Sequence, residues 1–125
     1  MNKVELEGRS VREIACSYTK TGRPYARFVI AASDKYKDEA GEWKERNLIF
    51  MNCIAFGYLA EMLAGCKQGK LLRVEGVLKR NKYTGRDGNK REEIQVLVRR
   101  ISVPLRNDTS IQEPSAGRWE ETFGV

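Results

Sequence analysis

Histidine is absent from this chain, and with it goes the commonest general base and metal ligand. Cysteine is scarce. Cys16, Cys53 and Cys66 are odd in number, far apart and without a CxxC pair, which argues against a disulfide framework and a zinc site and for a reducing compartment. No apolar run approaches the ~18 residues of a membrane-spanning helix, and the opening "MNKVELEGR" lacks the apolar centre of a signal peptide. These absences predict a cytoplasmic protein with no membrane partner. The glycine-containing "GRDGNK" lies between two strand-like runs rather than between a strand and a helix, so it is not a phosphate-cradling P-loop. The neighbouring carboxylates Glu5/Glu7 and Glu92/Glu93 fall on strands, where they face solvent. Without a histidine partner the cysteines read as small core residues rather than nucleophiles. We therefore expect no catalytic residue, no metal, no cofactor and no enzyme activity.

The 125 residues suffice for one domain with a modest core. Hydrophobic residues make up 41% and charged residues 32%, an ordinary balance for a globular chain. Net charge is +6 but unevenly spread. Over 105–125, Arg106 and Arg118 stand against Asp108, Glu113, Glu120 and Glu121, a balance of −2 that leaves +8 on the first 104 residues. A basic body raises the local concentration of polyanions, chiefly nucleic acid or anionic membrane.

Residues 3 to 18 alternate loosely and read as one strand, with Gly8 a bend or bulge inside it. "TKTGRP" reads as a turn, "YARFVIAASDKY" as a second strand, "DEAGEW" as a hairpin tip and "ERNLIFMNCIAF" as a third strand. "YLAEMLAGCKQGK" is the one convincing helix: Leu59, Met62, Leu63 and Cys66 form an apolar stripe that Gly65 and Gly69 end. "KLLRVEGVLKRNKY" and "REEIQVLVRRISV" close the domain as a hairpin around Gly85 and Gly88. The polar, aperiodic stretch 105–125 reads as a short C-terminal tail. The order β-β-β-α-β-β predicts an all-β fold over 1–104. It is a five-stranded OB-fold Greek-key barrel with one helix between strands 3 and 4, ahead of an SH3-like barrel or an irregular α+β sheet.

Some strands are apolar on both faces. In "NLIFMNCIAF", Ile49, Met51, Cys53 and Ala55 point one way while Leu48, Phe50, Ile54 and Phe56 point the other. A barrel core needs one face, so the second asks for a partner chain or a ligand. On the fourth strand, Leu72, Val74 and Leu78 fall inside, and Arg73, Lys79 and Tyr83 outside. Tyr83 sits among Lys79, Arg80, Lys82 and Arg86, a ring among cations, which is how single strands are held without reading sequence.

"MNKVELEGR", "ARFVIAASDKY", "AFGYLAEML" and "VEGVLKRNKYTGRDGNKRE" together resemble the bacterial single-stranded DNA-binding protein family, in its order and spacing over residues 1 to about 104. The resemblance implies an OB fold, a homotetramer, and single-stranded DNA as the partner in replication, recombination and repair, hence a nucleoid-associated place in the cytoplasm. It puts the base-stacking aromatics on Tyr36, Phe50, Phe56 and Tyr83, and several of these positions often hold tryptophan in the family. The phosphate-binding cations expected around them are Lys35, Arg73, Lys79, Arg80, Lys82 and Arg86. Trp43, at a hairpin tip, and Trp119, in the tail, fall on none of the four ring positions. The tail departs from the family pattern of a long linker with an acidic, Pro-Phe tip. Glu120, Glu121 and Phe123 echo that partner-binding tip, but no proline precedes the phenylalanine and two residues follow it. Recruitment of replication or repair proteins and competition of a −2 tail with DNA therefore both stand as readings of "RWEETFGV". A primosome-type accessory OB protein acting as a dimer, an RNA-binding OB module and a purely structural oligomer are the alternatives.

Overall fold

This computed structural model describes residues 1–105. Six strands and one helix follow in order: β1 (Val4–Ser10), β2 (Ser17–Tyr18), β3 (Pro24–Lys37), β4 (Trp43–Phe56), α1 (Tyr58–Leu63), β5 (Leu71–Thr84) and β6 (Lys90–Ser102). The sheet runs β1-β5-β6-β4-β3-β2, and β1 also pairs with β3, so the five long strands close on themselves. The barrel expected from the strand order is present, with α1 between its third and fourth strands. Among the described residues β4 and β6 form the one parallel pair, over Asn52–Ile54 and Gln95–Leu97.

Closure depends on two glycines. β1 pairs with β5 from Val4 to Arg9 and with β3 from Gly8 to Ser10, so Gly8 sits in both ladders. A Cβ there would collide with the Ala31 carbonyl. Gly76 lies beside a register shift between β5 and β6, where a Cβ would collide with the Leu97 carbonyl. Both are sites of close backbone approach, the reason glycine is found inside strands.

The core is filled from alternate positions. Ala26, Phe28 and Ile30 come from β3, Cys53 and Ala55 from β4, Leu72 and Val74 from β5, and Val96 and Val98 from β6; Ile14 and the helix residues Ala60 and Leu63 plug one end. Each fully buried aliphatic side chain among them, such as Ile30, Leu72 or Val96, contributes about 1.5–3 kcal/mol. Burial pushes the Cys53 thiol up to about 12, so it stays neutral as a core residue.

Three expectations change. The stretch 3–18 is two strands rather than one, because β1 ends at Ser10 and the chain leaves the ladder before β2 pairs with Tyr25 and Pro24. The helix stops at Leu63, since Gly65 takes φ 84° and its N–H bonds the Ile14 carbonyl; Met62 is consequently 57% exposed and leaves the stripe. Leu78, placed inside by alternation, is 38% exposed. It lies beyond Gly76, where the β1–β5 ladder ends and the β5–β6 hairpin projects from the barrel as an arm.

Gly76→Ala should lower stability by about 1–3 kcal/mol or more, because the atom met is backbone and cannot rotate away. The denaturant midpoint reads this. An unchanged midpoint would show that the bulge shifts freely to admit a methyl group.

Candidate nucleic-acid interface

Two rings lie on the barrel wall and two on projecting arms. The β4 face turned away from the core carries Phe50, Asn52, Ile54 and Phe56 in alternation. Phe50 is 64% exposed, whereas Ile54 is buried between its cross-strand neighbours Arg27 and Leu97. That part of the second apolar face is therefore covered within the chain. Phe56 is half-buried and pairs in register with Tyr25, the ring centroids 6.4 Å apart at 41°. The Arg23 guanidinium lies 4.4 Å from the Phe56 centroid, and Arg27 lies 5.9 Å from that of Tyr25. Such contacts are worth about 0.5–1 kcal/mol at exposed sites.

Tyr36 stands on the β3–β4 arm, half-buried, with the Arg46 guanidinium 4.8 Å from its centroid. A bulge sets this arm: Asn47 takes φ 57° and its side-chain amide donates to Asp34 at 3.1 Å. At its tip Trp43 is 69% exposed, with the Lys37 ammonium 5.7 Å from its ring. Tyr83, on the β5–β6 arm, is exposed and pairs in register with Arg91.

The expected cations divide into two groups. Lys35, Lys79, Lys82 and Arg86 have no ion pair among the described residues. Arg73 is held by Glu7 at 3.1 Å and Glu5 at 3.8 Å. Arg80 forks onto Glu92 at 2.6 and 2.9 Å, which raises its own pKa and holds the Glu92 carboxyl below its usual range. The Asn89 backbone N–H and the Arg91 guanidinium do the same for Asp87 at the arm tip. Both carboxylates are depressed, so these pairs are intact at neutral pH and weaken only as pH falls through the acid range. Alternation also separates Lys79 and Tyr83 from Arg80 and Lys82, which share the other face of the arm. Arg23, Tyr25, Arg27 and Arg46 were missed in the sequence. The pattern "RPYARF" puts Tyr25 and Arg27 opposite the core residues Ala26 and Phe28, but only the β3–β4 register brings them to Phe56. The tip residues Glu120, Glu121 and Phe123, with Trp119, lie outside the described residues.

Among the described residues, no group of three or more His, Cys, Asp or Glu is placed to hold a metal, and no helix is long and apolar enough to cross a membrane. The sequence model of the single-strand binding protein family matches residues 1–104. The chain belongs to that family. This family member is 28% identical over 104 residues to "Single-stranded DNA-binding protein 1" of Xylella fastidiosa, covering 82% of this chain and 76% of the relative. It is 32% identical over 102 residues to the "Single-stranded DNA-binding protein" of Bacillus cereus, covering 81% of this chain but only 58% of that relative. Among solved structures, it is similar to a deletion mutant of the single-stranded DNA binding protein from Thermus aquaticus, with a TM-score of 0.66 and 30% identity, over 85% of this chain and 51% of that one. The small single-stranded DNA-binding protein from Streptomyces coelicolor, at 23% identity and a TM-score of 0.68 over 82% of this chain and 94% of that one, shares the fold. The OB-fold expectation thus holds.

Glu92→Gln should break the fork, release Arg80 and raise net charge by one. The family member should then need more salt to leave a phosphocellulose column. Elution at an unchanged salt concentration would show that Arg80 already contacts polyanions while paired.

Proposed function

We propose that this protein binds and protects single-stranded DNA without catalysis and with little demand for sequence, in replication, recombination and repair. The observation that carries the reading is the outward row of Phe50 and Phe56 on the barrel wall of a member of this family, flanked by two arms that carry Tyr36 and Tyr83 among cations. Bases unstacked from one another stack on the rings, while Lys35, Lys79, Lys82 and Arg86, without an ion pair among the described residues, meet the phosphates. Arg73 and Arg80 contribute only by exchanging a carboxylate for a phosphate. Arg23 and Arg46 lie over Phe56 and Tyr36, so a base either displaces the guanidinium or stacks upon it.

Self-association into a homotetramer, or a dimer, belongs to the same reading. Val4–Glu7 of β1 pairs with β5 on one side only, which leaves an open strand edge. Beside that edge lies a concavity of about 680 Å³ whose apolar lining includes Leu6, Leu48, Ile49 and Leu71. Leu48 and Ile49 are 54% and 42% exposed in the single chain, which favours cover by a second copy.

Oligo-dT should bind far more tightly than duplex DNA or oligo-U, with a log-log salt slope of about −0.7 per phosphate neutralised. Tyr83→Ala should cost roughly 1–3 kcal/mol of binding while keeping the melting temperature. Equal affinity for duplex and single strand would falsify the reading, and a preference for oligo-U would move it to RNA. Sedimentation at micromolar concentration should give an oligomer, and a stable monomer would remove the argument from the open edge.

A further inference from the structure

Asn52 interrupts the aromatic row: it stands on the same β4 face as Phe50 and Phe56, between them. Here the sheet is hollowed into a cavity of about 450 Å³, lined among others by Arg12, Arg27, Asn52, Glu93 and Gln95. Stacking and phosphate contacts alone do not call for its floor. Glu93 accepts hydrogen bonds from the side-chain amides of Asn52 at 3.4 Å, Asn81 at 3.3 Å and Gln95 at 3.4 Å. Gln95 is 3% exposed. No lysine or arginine pairs with Glu93 among the described residues, so a half-buried carboxylate is kept, held only by long amide bonds, in the middle of a basic binding face. Such a group repels phosphate. An ionised carboxylate offers about four acceptor positions, and three weak amide bonds leave it room for a further donor.

We propose that this pocket takes the hydrogen-bonding edge of one nucleobase held over β4 and favours a base with an exocyclic amine, cytosine above all. The inference rests on the single-stranded DNA reading and adds to it a local base preference. The N4 amine of cytosine donates to a carboxylate, whereas thymine presents its O4 acceptor at the same place and meets the carboxylate's negative charge. Arg12 and Arg27, which have no ion pair among the described residues, are the cations on the pocket's lining that meet the phosphates on either side. The competing role for the cluster is a staple across the short parallel pair of β4 and β6, since Asn52 and Gln95 are register partners there. A staple alters stability without altering the choice of base.

The test uses the full chain and oligomers of equal length at one moderate salt concentration: oligo-dC, oligo-dT, and oligo-dC carrying N4,N4-dimethylcytosine, which keeps ring and phosphates but removes the amine hydrogens. The wild type should bind oligo-dC roughly fivefold more tightly than its dimethylated form. In Glu93→Gln, whose amide can donate to O4, the dC-to-dT affinity ratio should fall roughly fivefold, while affinity for both oligomers rises as the repulsion is lost. Indifference of the wild type to dimethylation overturns the proposal, and that arm needs no variant to fold. So does an unchanged dC-to-dT ratio in Glu93→Gln, including the case where only the melting temperature falls. Failure of the wild type to bind any of the three oligomers overturns the single-stranded DNA reading itself, and the pocket with it.

Discussion

The outer surface of this protein depends on the double pairing of β1. One short strand serves β5 with its first part and β3 with its last, and Gly8 belongs to both ladders. The backbones meet there at a distance no side chain permits, and Gly76 provides a second such approach across the barrel wall. Once the five strands close, one residue in two along each strand is committed to the core. The alternate residues are forced outward whatever their polarity. Phe50 and Phe56 are therefore displayed because Cys53 and Ala55 are buried, and Tyr25 and Arg27 because Ala26 and Phe28 are.

Strand length supplies the rest. β3, β4 and β5 are each 14 residues long, more than the barrel wall uses, and the surplus projects as two hairpin arms. These arms bury little. They are held by local devices instead: the Asn47 bulge and its bond to Asp34, the Arg80–Glu92 fork, and the Asp87 cluster at the second tip. Local holding of this kind keeps each ladder in register without help from the core. Electrostatics follow the same division. Paired arginines brace the hairpins and the β1–β5 ladder, Lys35, Lys79 and Lys82 on the arms have no ion pair among the described residues, and guanidinium groups over Phe56 and Tyr36 keep those rings from being bare apolar patches.

Much of this was legible in the chain. The five long strands, the hairpin tip after Lys37, the helix before β5 and the outward side of β4 follow from period-two alternation and turn residues, which are local properties. The failures share one cause. Met62 looked like part of a helical stripe because spacing says nothing about where Gly65 ends the helix against Ile14. Leu78 looked buried because alternation says nothing about where the barrel wall stops. The ion pairs of Arg73 and Arg80 were likewise not legible, because their partners, Glu7 and Glu92, are 66 and 12 residues away. The β1–β2 break was hidden because a strand pairing first with one neighbour and then another has no signature of its own.

By itself the sequence determined the alternation of apolar and polar positions, the turns, the basic charge and the presence of rings among cations, because each depends on residues close together in the chain. Only the tertiary structure decided which rings stand together, which cations are already neutralised, and that Asn52, Glu93 and Gln95 share one hollow. Those are matters of cross-strand register, and register is set when the barrel closes, by backbone contacts at Gly8 and Gly76 between segments far apart in the chain.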